Sequence, residues 1–198
     1  MSSLEFLVVG AASEQAVAKS SMERAQREAG ARFEQRDGWL VPVAIPGEEE
    51  HRDTVGLADL SHLTKLEVRP ADLPAGLVPS CYKAWYDISP RRALVISEPR
   101  DGATVREQLE GRLVLDVTGA LGILAVVGPE AATVVRRLTH LHDFPQGGEV
   151  AHITAHVLQP AETTYWIVFL QEYGHYLWEV AADCAAALGG GPIGVDAL

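Results

Sequence analysis

The sequence predicts an α+β domain in which helices pack on antiparallel sheets. Three observations predict it. Strand-like segments come in adjacent pairs, such as 152–159 and 164–170, which are joined by the turn Pro160-Ala161-Glu162. Helical segments interrupt these pairs, giving the order helix, strands, helix, strand pair, helix, strand pair, helix. The 198 residues are 47% hydrophobic and 22% charged, which is enough to bury a core without disulfides or metals.

The elements follow in order. Residues 4–9 read as a short strand or an extended arm. Ala16, Ala18, Met22, Ala25 and Ala29 recur at helical spacing and predict a helix over 13–29, with Gly30 as its stop. Residues 32–36 and 39–43 are short extended pieces. The charged run 47–56 predicts a solvated helix. In 65–69, Leu66 and Val68 alternate with charges, the pattern of a half-buried strand. Residues 70–92 are rich in proline and aromatics and read as an irregular connection with a short strand near 82–86.

Strands are expected at 93–97, 112–118 and 121–127, and a helix at 103–109. Gly119-Ala120 is expected to turn 112–118 back onto 121–127 as a hairpin. Gly128-Pro129-Glu130 opens a helix to Leu138, since proline is tolerated in a first turn and an acid favours the helix N-terminus. Residues 140–148 read as a loop. A helix over 176–187 carries Leu177, Val180, Cys184 and Leu188 on one face, and a glycine-rich tail follows. The organisation expected is an N-terminal arm and helix, 1–29, followed by one compact unit, 30–198.

The formal net charge of −11 argues against nucleic-acid binding, which needs a basic face. The N-terminal apolar run lacks a basic flank, and no apolar stretch approaches a membrane span of about 20 residues. A cytoplasmic protein with no membrane partner is expected. Cys81 and Cys184 lie far apart without ligand spacing and read as separate thiols.

No phosphate-binding loop, dinucleotide fingerprint, zinc-protease helix or nucleophile elbow occurs. His140, His142 and Asp143 could in principle share a metal but read as a solvated loop, and no metal site is expected. His152 and His156 read as surface residues on one polar strand face. Asp59-Leu60-Ser61-His62 holds the three groups of a hydrolase relay, but groups so close in sequence cannot converge as a relay does. A structural role fits better: Asp59 or Ser61 caps a turn and His62 packs near the sheet.

Several runs carry a resemblance. Gly30-Ala31-Arg32-Phe33, Asp37-Gly38-Trp39-Leu40-Val41-Pro42-Val43, Glu50-His51-Arg52 and Gly56-Leu57-Ala58-Asp59-Leu60-Ser61-His62-Leu63-Thr64-Lys65-Leu66-Glu67-Val68 fall in the order and spacing of the N-terminal signature of the glycine cleavage T-protein (aminomethyltransferase) family. Leu63 stands where that family has methionine. Leu124–Ala131 resembles the family's strand-to-helix turn, and Gly191-Pro192-Ile193-Gly194 resembles the turn after its last helix.

Two departures accompany the match. Residues 69–92 lack the family's catalytic Asn-Asp motif, although Asp72 and Asp87 are present, and only Glu172-Tyr173-Gly174 remains of its folate-contact segment. A shortened middle, Tyr176-Leu177-Trp178-Glu179 and a length near 200 are similar to the gamma subunit of heterotetrameric sarcosine oxidase.

The resemblance implies the T-protein-type folate-binding domain without the C-terminal barrel domain that follows it in the family. It implies a non-catalytic module, binding or assembling with a partner such as a flavin amine oxidase or with other subunits or itself, and it allows tetrahydrofolate as a ligand. The alternative is a tetrahydrofolate-dependent aminomethyltransferase or demethylase that uses Asp72 or Asp87. Trp39, Tyr82, Trp85, Glu172 and Arg92 supply the aromatic, acidic and basic types that a folate would need. No catalytic residue is assigned.

Overall fold

The computed structural model describes residues 16–70, 72 and 82–198. The expected N-terminal strand at 4–9 and Cys81 lie outside them. The described chain forms three sheet systems, antiparallel throughout except where the short strand Gly191–Pro192 runs parallel to Gly56–Asp59. A two-stranded ribbon pairs β1 (Arg32–Arg36) with β2 (Trp39–Ala44). A four-stranded sheet has the order β5-β6-β4-β7, from Ala84–Ser89, Arg92–Ser97, Thr64–Arg69 and Leu113–Asp116. A six-stranded sheet has the order β12-β3-β8-β11-β10-β9, from Gly191–Pro192, Gly56–Asp59, Leu121–Val127, Thr164–Leu170, Ile153–Ala161 and Gln146–Val150.

Alternation along the strands builds three cores. One face of the six-stranded sheet, with Leu57, Leu124, Val126, Ile167 and Phe169, packs against α4 (Ala131–Leu138) and α5 (Gly174–Ala186). Its other face, with Ala58, Ile123, Ala125, Trp166 and Val168, meets Tyr86, Leu94 and Ile96 of the four-stranded sheet. The far face of that second sheet, with Leu66, Val68 and Val95, is covered by Val105 of α3 (Gly102–Gln108) and by Leu109. Helices, sheet, sheet and helix thus stack in four layers, the α+β class expected from the sequence.

Four local expectations are corrected. The expected helix over 13–29 is described as α1, Glu23–Glu28. Before it, Ala18 is extended, because its N–H donates to Gly38 O and its carbonyl accepts from Leu40 N, so strand addition to β2 prevails over helical periodicity. The strands β7 and β8 are not a hairpin: β7 pairs with β4 and β8 with β3 and β11. The turn between them carries the chain from one sheet to the other. The expected loop at 140–148 contains the start of β9, whose Gly147 and Gly148 lie close under His156 and Leu141, where side chains would not fit. A strand also forms at Gly56–Asp59, buried at every position, where alternation could not reveal it.

The remaining helix α2, Glu48–Thr54, stands on the surface as expected. Two glycines are required by close approach. Gly128 (φ +112°) ends β8, and a Cβ there would lie 2.8 Å from the carbonyl oxygen of Thr54. A Cβ at Gly194 would lie 2.2 Å from that of Val43.

Candidate functional site

The connection from β3 to β4, residues 59–65, presents two different surfaces. Asp59, Ser61 and Lys65 turn inward and are 2%, 4% and 0% exposed. Asp59 Oδ1 accepts the Ser61 N–H at 2.9 Å, and its Oδ2 accepts Gln26 Nε2 at 2.9 Å. The turn-capping role expected of Asp59 is therefore observed. Ser61 Oγ accepts the Ile123 N–H at 3.2 Å, and Lys65 Nζ donates to Ser61 O at 2.6 Å. The ammonium also lies 5.8 Å from the Trp39 ring centroid. Burial lowers the Lys65 pKa from its usual 10.5 to about 7, with Asp59 opposing the change.

Leu60, His62 and Leu63, from the same connection, line a cavity of about 590 Å³. Val127, Trp166 and Val195 complete its apolar wall, and Arg36, Arg52, Lys83, Glu98 and Asp196 bring charge to it. Arg36 is held by Asp196, at 2.6 and 2.8 Å, and by Glu34. Lys83 pairs with Glu98 at 3.0 Å. Arg52 is exposed and, among the described residues, has no ion-pair partner. Burial holds the His62 imidazole below its ordinary pKa and so favours the neutral ring. The cavity joins an apolar slot to Arg52, a cation uncommitted among the described residues, the chemistry of a flat ring with an anionic tail.

None of the five residues expected to contact a ligand lines this cavity. Trp39 lies half-buried on β2, above Lys65. Tyr82 and Trp85 come together against the core under α3, and Trp85 Nε1 donates to Asp87 Oδ1 at 2.8 Å. Arg92, on β6, donates to Glu67 Oε2 at 2.6 Å. Glu172 is exposed in the 3₁₀ turn before α5. The cavity residues come instead from β1, α2, the β3–β4 connection, the residue before β5, the ends of β6 and β8, β11 with the residue before it, and the tail. Of these, Leu60, His62 and Leu63 belong to the sequence signature, and Arg52 ends its Glu50-His51-Arg52 run. Arg36, Lys83 and Thr164 carry no local signal.

Asp72 is exposed and bound bidentately by Arg112 at 3.0 and 2.9 Å, and the Arg112 hydrogen bond lowers its pKa. His142 is exposed and pairs with Asp143 at 3.3 Å, and His152 is exposed beside Glu149. His156 is more enclosed than a surface strand histidine, because Tyr86 Oη lies 3.1 Å from its Nδ1. No group of three metal-binding side chains occurs among the described residues. Among them, too, no helix is long and apolar enough to cross a membrane. Cys184 is a free, half-buried thiol.

The separated sequence motifs meet in space. His51 Nδ1 lies 2.9 Å from Pro192 O, and Glu48 Oε2 accepts the N–H groups of Ile45 and Gly194 at 2.8 and 2.9 Å. A Cβ on Gly56 would lie 2.6 Å from Ile193 Cδ1. These motif residues fasten α2, β2, β3 and the tail to one another.

No protein-family model matches the chain. Two aminomethyltransferases from strains of Mycobacterium leprae are 47% identical to it over 55 residues, 26% of this chain and 15% of theirs. The aminomethyltransferase T structure of the glycine cleavage system from Bartonella henselae superposes with a TM-score of 0.65 at 17% identity, covering 91% of this chain and 60% of that one. A chain of the heterotetrameric sarcosine oxidase from Corynebacterium sp. U-96, in complex with pyrrole 2-carboxylate, gives 0.59 at 16% identity, covering 87% and 97%. The protein thus spans 15% of the Mycobacterium aminomethyltransferases and 60% of the Bartonella one, less than two thirds of each. It has the fold shared by the glycine cleavage T-protein and a sarcosine oxidase chain, as its signature residues indicated.

Proposed function

We propose that this chain is a non-catalytic folate-binding-type module that works in assembly with a partner such as a flavin amine oxidase. Residues 30–198 act as the binding unit, and the N-terminal segment 1–29 joins it, in its described part, through Ala18 on β2, Met22 in the core and Gln26 on Asp59. The cavity beside the β3–β4 connection is the ligand slot in this reading. Its volume lies within the roughly 300–1,000 Å³ of small-molecule sites. Leu60, Leu63, Val127 and Trp166 would enclose the flat ring, and Arg52 would meet the anionic tail.

The observation that carries the non-catalytic reading is the state of the carboxylates. The two at the cavity, Glu98 and Asp196, are each committed to a cation. Asp72 and Asp87, the candidates for a relocated acid, are outside it. A catalytic acid or base must reach the proton that it moves.

Tetrahydrofolate in large excess should raise the melting temperature of the purified chain, since a ligand that binds the native state stabilises it. The purified chain alone should transfer no one-carbon unit. Absence of a thermal shift removes the ligand half of this proposal, and carboxylate-dependent one-carbon transfer removes the non-catalytic half. The identity to the Mycobacterium aminomethyltransferases favours the second reading, a tetrahydrofolate-dependent aminomethyltransferase or demethylase.

A further inference from the structure

Strand β7 pairs with β4 along one edge and, among the described residues, with no strand along the other. Its register is Glu67↔Leu115 and Arg69↔Leu113, and Val117 N donates to Lys65 O at 3.0 Å. The backbone groups of Leu113, Leu115 and Val117 therefore face β4. Antiparallel alternation turns those of Val114 and Asp116 to the open edge. Leu113 and Leu115 are 52% and 41% exposed, on the same side of the sheet.

Residues 112–116 read Arg-Leu-Val-Leu-Asp, a palindrome in chemical type for two strands running in opposite directions. We propose that β7 joins two copies of this chain, paired antiparallel about a twofold axis through Val114. In this register Val114 opposes Val114 of the partner subunit as a hydrogen-bonded pair. Leu113 opposes Leu115 of the partner subunit, and Arg112 opposes Asp116 of the partner subunit. Arg112 already binds Asp72, and Asp116 binds Arg106 at 3.0 Å. Pairing would extend these surface contacts into an alternating row of charges across the seam. A slip of two residues would set Asp116 against Val114 and Arg112 against Thr118, losing the charge match, and a slip of one would send the leucines to opposite faces.

Cross-strand leucine and opposite-charge pairs stabilise a sheet, and the pairing closes an edge that is otherwise open among the described residues. The contact is short, below the roughly 1,200–2,000 Å² of a permanent interface, so association follows concentration. The inference is independent of the ligand reading.

Sedimentation equilibrium of the full chain over about three decades of concentration tests it. The mass should rise from one chain toward two. Asp116→Arg should weaken association at least about tenfold by setting like charges across the seam, and Arg112→Asp combined with Asp116→Arg should restore it. Circular dichroism confirms that each variant is folded. A wild-type chain that stays at single-chain mass overturns the proposal and leaves the edge to a different protein or to solvent. Association that ignores Asp116→Arg overturns it too, because the contact then lies elsewhere. If the double variant fails to fold, hydrogen exchange on the wild type decides the matter: protection at the Val114 amide must rise with concentration, and protection that does not change overturns the pairing.

Discussion

On the inner side of the β3–β4 connection, Asp59, Ser61 and Lys65 form a buried seam in which Asp59 accepts from two donors, and Ser61 donates its N–H to Asp59 while accepting from the Ile123 N–H and Lys65 Nζ. On its outer side, Leu60, His62 and Leu63 line a cavity, with no hydrogen bond to the His62 ring among the described residues. Buried polar groups without partners are costly, so the inner residues are fixed by the fold. The outer residues present the signature to the cavity, Leu60 and Leu63 from the apolar core between the sheets and His62 half-buried. A signature that spans both sides therefore mixes two kinds of constraint, and the residues that most identify the chain are those that hold it together.

This difference can be broken most strongly at Asp59. Asp59→Ala leaves Gln26 Nε2 and the Ser61 N–H without their acceptor, at about 2 kcal/mol each, so a loss of about 4 kcal/mol is expected in urea unfolding. Asp59→Asn, which keeps an acceptor oxygen, should lose clearly less. An unchanged unfolding midpoint in Asp59→Ala would mean that the seam is not structural.

Lys65 gives the next effect. Its pKa is about 7 in the folded chain and the usual 10.5 when unfolded. Between these values the unfolded chain holds the extra proton, so stability rises with pH. The gain should be about 2 kcal/mol from about pH 7 to about pH 9, with Lys65→Met removing that slope. Equal slopes in the two proteins would show that the ammonium is not desolvated.

On the outer side the expectation inverts. Arg52→Ala should change stability by less than about 0.5 kcal/mol, since Arg52 is exposed and outside any ion pair among the described residues. It should nevertheless weaken tetrahydrofolate binding about tenfold, measured by calorimetry. A large fall in stability with unchanged binding would reverse the assignment of the two sides.

The smallest effect concerns His62. Burial lowers its pKa from 6.5, so the unfolded state takes up a proton first as the pH falls, and stability is lost below about pH 6.5. His62→Gln should be less acid-sensitive in thermal melts at pH 5–6. An identical acid response would show the ring to be solvated.

The fold was legible where the chain repeats a local rule. Strand-like runs marked β4, β10 and β11, although Lys65 and Glu67 of β4 are buried where a half-buried strand would leave them in solvent, and the Gly128-Pro129-Glu130 turn marked α4. It was illegible where tertiary pairing prevailed. Nothing local shows that Ala18 leaves its helical pattern to join Trp39, or that the turn after β7 changes sheets rather than folding back. At β9 two glycines mimic a loop, yet they are needed because His156 and Leu141 occupy the space above them.

For the candidate site the division is sharper. The sequence by itself determined the α+β class, the T-protein-type fold and the residues that stitch it, because close-packed glycines and buried polar groups accept few substitutes. The position of the cavity was decided by tertiary structure alone. Arg36, Arg52, Lys83, Trp166 and Asp196 lie far apart along the chain, and each is unremarkable in its own segment. They share a surface because the two sheets pack face to face and the tail returns beside β2, which no local pattern encodes.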